Sequence, residues 1–110
     1  MADTDIEITP QDASAAVEAG DAVIIDVRTT EEWDAGRIPG ATHIPLDELT
    51  SRAGEVPRNR EVVFSCKSGG RSFMAAQAFR ASGVSARSLA GGAHAWQDAE
   101  LPFEGVVADH

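Results

Sequence analysis

The segment that decides the fold lies in the middle of the chain, where residues 62–72 read VVFSCKSGGRS. Its first three residues form a continuous apolar run, which is typical of a strand buried on both faces of a parallel sheet. Gly69 and Gly70 then lead into a helix predicted over about residues 71–82. A strand, a glycine-rich loop and a helix N-terminus in this order form an anion-binding cradle, because backbone N–H groups and the helix dipole face the same point.

The helix after this loop carries apolar residues on nearly every side, including Phe73, Met74, Ala78 and Phe79. We therefore expect the helix to be buried around most of its circumference. Its small alanine side chains would allow it to approach the sheet closely, and Gly83 is expected to end it.

Apolar runs alternate with helical patterns along the rest of the chain. Strands are predicted over residues 6–8, 22–25, 42–44, 62–64 and 86–89. Helices are predicted after the capping residues Thr9 and Thr29, over about residues 46–53 and 71–82, and around Trp96. This alternation favours an α/β fold of three layers, in which helices cover both faces of a central, mostly parallel, five-stranded sheet.

The chain has 110 residues, which is enough for one hydrophobic core and too short for two. We therefore predict a single domain over residues 1–110, with its core over about residues 6–103. A domain of this size buries roughly two-thirds of its unfolded surface, so it needs neither a metal ion nor a disulfide to fold.

Acidic residues outnumber basic residues by 18 to 9, which gives a net charge of −9. This balance argues against nucleic acid or a membrane of anionic lipid as a partner, because both require clustered Lys and Arg side chains. No apolar stretch approaches the roughly 20 residues of a membrane span. The excess of acids is consistent with a solvated surface and also with adaptation to high salt.

The chain contains a single cysteine, Cys66, which excludes an internal disulfide and a multi-cysteine zinc site. The first seven residues are acidic and lack the apolar segment of a signal peptide. We therefore expect a cytoplasmic protein that needs no metal ion and no cofactor.

Cys66 stands at the end of a predicted strand, directly before the glycine-rich loop. A helix N-terminus lowers the pKa of a nearby thiol and favours the thiolate, which is the nucleophilic form. Lys67, the only lysine in the chain, and Arg71 both follow closely. We infer a nucleophilic thiolate that meets an anion. The alternative is an inert core residue, as free cysteines often are.

The segment that begins at Cys66 resembles the active-site loop of rhodanese domains, whose frequent form is C-x-x-G-x-R-S. Residues 25–41, IDVRTTEEWDAGRIPGA, resemble the family's other signature, D-V-R-x-x-x-E-[WF]-x-x-G-H-I-P-G-A. Residues 89–92, LAGG, and the following Trp96 resemble its C-terminal signature. The match to a single-domain rhodanese runs from about residue 8 to residue 102. Arg37 stands where the family usually has histidine, and we expect this difference to affect surface contacts.

The resemblance implies a sulfurtransferase. Cys66 would take the outer sulfur of thiosulfate or a similar anionic donor as a persulfide and pass it to cyanide, a thiol or a sulfur-accepting protein. Lys67 and Arg71 would attract the donor, while Asp26 and Arg28 would support the loop structurally. Backbone N–H groups would hold the transferring sulfur. The whole cradle would comprise Lys67, Ser68, Gly69, Gly70, Arg71 and Ser72.

Three alternatives remain open at this level. The chain could be a persulfide carrier or a regulatory binding module that delivers sulfur to a protein partner. A cysteine-dependent phosphatase or arsenate reductase is disfavoured, because its C-x5-R motif would place arginine at position 72, where Ser72 stands. Arg71 would either contact the donor or pair with an acid such as Asp26 or Glu32.

Other polar and aromatic residues have simpler interpretations. His43 and His94 could pair with the thiol, but the family uses no such histidine, and we interpret both as packing or surface residues. Trp33 and Trp96 are interpreted as core or rim anchors. The predicted second helix has an acidic side that we interpret as its solvated face, formed by Glu31, Glu32 and Asp34.

Overall fold

The computed structural model describes residues 6–107 of the chain, so most of the acidic start lies outside the described residues. The strands in this range are β1 (Glu7–Ile8), β2 (Ala22–Asp26), β3 (Gly36–Arg37), β4 (Thr42–His43), β5 (Glu61–Ser65), β6 (Ala86–Leu89) and β7 (Glu104–Gly105). Five of them form one sheet in the order β1-β6-β5-β2-β4, and each neighbouring pair is parallel. The predicted central sheet is confirmed.

The α-helices of the described range are α1 (Pro10–Glu18), α2 (Thr30–Ala35), α3 (Gly70–Ala81) and α4 (Gly92–Asp98). Thr9 and Thr29 cap α1 and α2 through their side chains, as predicted. The helix predicted over about residues 46–53 is wrong, because the segment forms two 3-10 helices, Leu46–Glu48 and Ala53–Glu55. Neither has a side-chain hydrogen bond at its N-cap. No helix within residues 6–107 is long and apolar enough to span a membrane.

Helices cover both faces of the sheet, because successive residues of its two central strands point to opposite sides. Ile25 and Phe64 pack in one hydrophobic cluster together with residues of α3. Ile24 and Val63 pack in a second cluster together with residues of α1 and α4. The three predicted layers are therefore present.

Helix α3 is less buried than its sequence predicts. Met74 is 62% exposed, and only Ser72, Ala75 and Ala76 of this helix are buried. The helix packs on one face of the sheet only, so its opposite side faces solvent. Alanine and methionine tolerate that exposure, and their presence therefore did not distinguish a buried side from an exposed one.

A small antiparallel sheet, which the sequence did not predict, joins β3 to β7. The two strands approach closely at Gly36, where a Cβ atom would lie 2.2 Å from the carbonyl oxygen of Val106. The preceding segment is held as well, since the indole N–H of Trp96 donates a hydrogen bond to the carbonyl of Pro102 at 2.7 Å. The chain after α4 thus returns to the body of the fold.

A buried ion pair lies at the carboxyl end of β2. Asp26 and Arg28 are 2% and 0% exposed, and Arg28 Nη2 donates to Asp26 Oδ2 at 2.7 Å. The same nitrogen donates to the carbonyl of Gly36 at 2.7 Å, and His43 Nε2 lies 2.8 Å from the carbonyl oxygen of Arg28. The pair therefore connects the end of β2 with β3 and β4.

We predict that Asp26→Asn lowers the free energy of unfolding by about 3–5 kcal/mol, because it leaves the Arg28 guanidinium buried without its counter-charge. Urea denaturation of wild type and variant would measure the change. Glu55→Gln serves as the control, since Glu55 pairs with Arg52 at the surface and its loss should change stability little. Equal effects of the two substitutions would contradict the prediction.

Candidate active site

The parallel arrangement of β2 and β5 brings the two sequence motifs together. Asp26 is the pairing partner of Ser65, and the N–H of Val27 donates to the carbonyl of Ser65 at 2.8 Å. Cys66 follows directly at this carboxyl edge of the sheet. Ligands of open parallel sheets bind at this edge, so the fold places the thiol where such sites occur.

Hydrogen-bond donors surround the sulfur of Cys66. The backbone N–H of Gly69 lies 3.1 Å from Sγ, and the N–H of Ser72 lies 3.4 Å from it. The hydroxyl of Ser72 is 3.5 Å away. Gly69 adopts φ +117°, a left-handed conformation that favours glycine and lets the loop fold around the sulfur. The cradle predicted from the sequence is thus present around a side chain that is 1% exposed.

The environment of Cys66 favours its thiolate. Burial raises the pKa of the thiol, but hydrogen bonds from the Ser72 side chain and from the N–H groups of Ser72, Gly69 and Ser68 lower it further than burial raises it. The net effect is a pKa below the ordinary value for cysteine. A buried thiol without such donors would instead be harder to ionise.

Helix α4 holds the outer side of the loop. The N–H of Ala93 donates to the carbonyl of Cys66 at 2.8 Å, and the N–H of His94 donates to the carbonyl of Lys67 at 3.1 Å. Because the Lys67 carbonyl is bound on the outer side, the Ser68 N–H of the same peptide unit points to the inner side, where it helps to lower the pKa of Cys66. Gly92 permits the approach, since a Cβ there would lie 2.5 Å from the Cys66 oxygen.

Arg71 forms an ion pair with Glu32, one of the two acids considered as its partner from the sequence. Its Nη1 and Nη2 donate to the two carboxylate oxygens at 2.8 and 2.9 Å. The interpretation of Glu32 as part of a solvated face is wrong, because Glu32 is 7% exposed. The carboxylate turns inward because it also accepts the N–H of Thr29 in the capping box of α2.

The hydrogen bond from Arg71 is the main cause that lowers the pKa of Glu32 to about 2, from an ordinary value of 4.5. Burial opposes the shift, and hydrogen bonds from Thr29 add to it. Glu32 is therefore ionised at every pH at which the protein would act. The Glu32–Arg71 pair forms a fixed link between α2 and the first turn of α3.

The histidines and tryptophans lie in structural positions, as interpreted from the sequence. The ring of His43 stacks on Trp33 with centroids 4.8 Å apart, and His94 is exposed. Trp96 is buried in the core, whereas Trp33 is half-buried at the rim. Arg37 lies over the Trp33 ring and pairs with a surface glutamate of β7, so its contacts are at the surface.

The remaining loop residues complete the cradle without deep burial. Lys67 is half-buried, and Ser68 and Gly70 are exposed.

A cavity of about 460 Å³ borders Arg71, and Val27 is among the residues that line it. A larger one, about 620 Å³, lies at the amino ends of β5 and β6, at the opposite edge of the sheet from the thiol. Of these two cavities, the one beside Arg71 lies at the edge of the sheet that carries the thiol, although Cys66 itself does not line it.

One buried polar residue of the site was missed in the sequence. The hydroxyl of Ser88 on β6 lies 2.7 Å from the hydroxyl of Ser72, which itself neighbours the sulfur of Cys66. Ser88 is fully buried. A lone serine in a predicted strand carries no signal of this contact, since the pairing of β6 beside β5 is what brings it close.

No group of three or more His, Cys, Asp or Glu side chains that could hold a metal ion occurs within residues 6–107. The thiol of Cys66 and the hydrogen-bond donors around it are the chemically reactive group of the site. Such an arrangement suits a sulfur nucleophile whose negative charge is stabilised by main-chain amides.

The sequence model of the rhodanese-like domain matches residues 9–99 of the chain. The chain belongs to the rhodanese-like domain family. It is 36% identical over 84 residues to a sulfurtransferase of Allochromatium vinosum, a match that covers 76% of this chain and 78% of that protein.

Two further similarities concern the length and the fold of this rhodanese-like domain. It is 36% identical over 120 residues to the HTH-type transcriptional regulator Rv0324 of Mycobacterium tuberculosis, covering 100% of this chain and 53% of the regulator. The chain thus spans about half the length of that relative. A crystal structure of a protein from Lactobacillus plantarum matches with a TM-score of 0.83 at 26% identity, covering 92% of this chain and 89% of that one.

We predict that Gly92→Ala destabilises the rhodanese-like domain by about 1–3 kcal/mol or more and slows alkylation of Cys66. The residue has φ +63°, and its new methyl group would meet backbone carbonyls that cannot move away cheaply. Urea denaturation and the rate of reaction with iodoacetamide at neutral pH would measure both effects. Gly54→Ala is the control, because Gly54 has open space around it. Wild-type alkylation by the Gly92 variant would refute the role given to α4.

We also predict that the Glu32–Arg71 pair makes stability depend on acid. The pKa of Glu32 is lower in the folded chain, so the folded state holds the charged form more strongly than the unfolded state does. Its contribution is therefore complete above about pH 4.5 and is lost as the pH falls toward 2. In urea denaturation over this pH range, the free energy of unfolding of Glu32→Gln should fall less steeply with decreasing pH than that of the wild type. An unchanged decline would contradict the assignment.

Proposed function

We propose that this rhodanese-like domain is a sulfurtransferase that carries sulfane sulfur as a persulfide on Cys66. The observation that supports the proposal most directly is the thiol itself, which sits in a ring of hydrogen-bond donors with its pKa lowered below the ordinary value. An inert core cysteine would need no such donors. The 36% identity to a protein named sulfurtransferase, over most of both chains, supports the same reaction class.

In the proposed first step, the Cys66 thiolate attacks the outer sulfur of thiosulfate. The bond between the two sulfur atoms of the donor breaks, and sulfite leaves with the bonding electron pair. In the second step, cyanide or a thiolate attacks the terminal sulfur of the persulfide. Thiocyanate or a new persulfide is released, and the Cys66 thiolate is regenerated with no net oxidation of the protein.

The loop residues would act in two ways in this cycle. The N–H groups of Gly69 and Ser72, which already face the sulfur, would stabilise the negative charge of the thiolate and of the persulfide. Lys67, Ser68 and Gly70 form the accessible side of the loop, and Lys67 would attract the anionic donor.

Arg71 would attract the donor less strongly than the sequence suggested. Its guanidinium is engaged by both carboxylate oxygens of Glu32, so much of its charge is already neutralised. We propose that Arg71 mainly fixes the start of α3 and keeps the Ser72 N–H aimed at the sulfur. Asp26 and Arg28 would support the neighbouring strand end through their own buried pair.

A persulfide carrier is the second candidate, and one observation favours it. Over 60 residues the chain is 47% identical to a Bacillus subtilis protein named a putative sulfur carrier protein, a match that covers 54% of this chain and 32% of that protein. In that role, Cys66 would transfer its sulfur to a protein thiol rather than to a small acceptor. Steady-state turnover with cyanide and with a dithiol would favour the enzyme, whereas a stable persulfide that reacts slowly with both would favour the carrier.

We propose further that residues 6–103 act as one domain and that its compartment is the cytoplasm, where a reactive thiol remains reduced.

Phosphatase chemistry is disfavoured by the short loop. Arg71 stands one position before the place of a phosphatase arginine, and its guanidinium is held in an ion pair by Glu32. Hydrolysis of an aryl phosphate by the pure protein would contradict this view.

The decisive prediction concerns covalent sulfur. Incubation with thiosulfate should add one sulfur atom to the protein, detected by intact mass spectrometry, and cyanide should remove it. Cys66→Ser should abolish both the added mass and thiocyanate formation, because a serine hydroxyl is too weak a nucleophile at neutral pH. Ser82→Ala, a substitution on the exposed surface after α3, is the control and should keep full activity. Thiocyanate formation by Cys66→Ser would refute the proposed function.

A further inference from the structure

The serine on β6, Ser88, is one of the fully buried polar residues near the sulfur. Ser88 lies in the interior of the sheet, where it is paired with Glu7 of β1 on one side and with Phe64 of β5 on the other. Its side chain is fully buried, and its hydroxyl lies 2.7 Å from that of Ser72. No other hydrogen bond of this hydroxyl is seen among residues 6–107.

Stability alone does not account for this pair of hydroxyls. Alanine has nearly the volume of serine, and replacing both partners of a buried hydrogen bond by apolar groups of similar shape is close to neutral. Leaving one hydroxyl without a partner costs about 1–3 kcal/mol. The reactive group next to this pair is the sulfur of Cys66, which is 3.5 Å from the Ser72 hydroxyl oxygen.

The direction of the bond follows from counting hydrogens. Each serine hydroxyl has one hydrogen to donate and two positions at which it can accept. Ser72 has an acceptor within reach in the carbonyl of Gly69, at 3.2 Å. If Ser72 donated to Ser88, the hydrogen of Ser88 would have no acceptor among the described residues. The arrangement that uses every hydrogen has Ser88 donating to Ser72.

We propose that Ser88 is a positioning residue, which donates to the Ser72 hydroxyl and thereby leaves the Ser72 hydrogen free for Cys66. When the sulfur is ionised, Ser72 donates its hydrogen to Sγ. When the sulfur is protonated, Ser72 turns its hydrogen to the Gly69 carbonyl and accepts the S–H. Ser88 stays a donor in both states. The Ser72 hydroxyl therefore needs only to rotate when the sulfur gains or loses its proton. This assignment rests on the proposed function and extends it.

The proposed effect of Ser88 is distinct from that of the charges around the site. Arg71 on α3 interacts electrostatically with Cys66 and Asp26, and it is paired with Glu32. Lys67 lies in the loop next to the sulfur. Ser88 is uncharged and reaches the sulfur only through Ser72, so its influence should vanish when the Ser72 hydroxyl is removed. Hydrogen bonds in a chain strengthen one another modestly, which sets the size of the expected effect.

The experiment is a double-mutant cycle on the pH dependence of Cys66 alkylation. Cys66 is the only cysteine, so the mass added by iodoacetamide, measured on the intact protein, reports alkylation of this residue alone. Because iodoacetamide is uncharged and reacts with the thiolate, the rate of alkylation follows the thiolate fraction. Ser88→Ala should slow alkylation at neutral pH by about twofold and move its midpoint to higher pH. Ser72→Ala should shift the midpoint further. The variant with both substitutions should behave like Ser72→Ala alone.

The outcomes separate positioning from a general loss of stability. Ile24→Val is the control, because Ile24 is a buried residue of β2 that packs in the cluster on the other face of the sheet from Cys66, and the substitution costs about 0.5–1.5 kcal/mol of stability without touching the site. It should leave the alkylation midpoint unchanged. An unchanged midpoint in Ser88→Ala, or an equal shift with and without the Ser72 hydroxyl, would overturn the proposal.

A second pair of variants covers the case in which Ser88→Ala does not fold. Ser88→Thr and Ser88→Val have the same shape and crowd the sheet equally, but only threonine keeps the hydroxyl. The threonine variant should alkylate faster than the valine variant at neutral pH, and equal rates would overturn the assignment. Thiosulfate loading is measured separately on the wild-type protein, so a failure to form a persulfide would reject the proposed function without altering this coupling.

Discussion

The loop around the sulfur, residues 66–72, depends on two hydrogen bonds that it makes to a helix distant in sequence. The carbonyl groups of Cys66 and Lys67 point away from the sulfur and accept the N–H groups of Ala93 and His94 at the start of α4. A peptide unit whose carbonyl is held on one side presents its N–H on the other. The contact with α4, which Gly92 makes sterically possible, therefore sets the direction of the Ser68 N–H. The N–H groups of Gly69 and Ser72 are set by the turn at Gly69 and by the start of α3.

Two of the cationic side chains near the sulfur are paired with buried carboxylates. Arg71 is neutralised by Glu32, and Arg28 is neutralised by Asp26. Both pairs serve as fixed links between elements around the site, one between α2 and α3 and the other at the end of β2. On a chain of net charge −9, the main-chain N–H groups at the thiol supply hydrogen-bond donors that carry no formal charge of their own. Such donors are rigid, so they need little reorganisation when the sulfur changes its charge.

Several features of the fold and site could be predicted because they depend on neighbouring residues. The strand over residues 62–64, the glycine-rich loop before α3 and the helix cap at Thr29 are all local, and each was found in the structure as predicted. The exposure of Met74 was not predictable, because it depends on which side of α3 meets the sheet. The burial of Glu32 depends on Arg71, which lies 39 positions later in the chain.

The sequence by itself determined the strands of the central sheet, the helices that cover it and the position of the thiol loop, since spacing, glycine positions and apolar runs act over a few residues. Only the tertiary structure decided the partners of each charge and hydroxyl. It placed Arg71 on Glu32 rather than Asp26, brought Ser88 beside Ser72 and held the loop carbonyls against α4. The physical reason is that hydrogen bonds and ion pairs form across distances of about 3 Å. At that scale, the packing of separate strands and helices determines which groups meet.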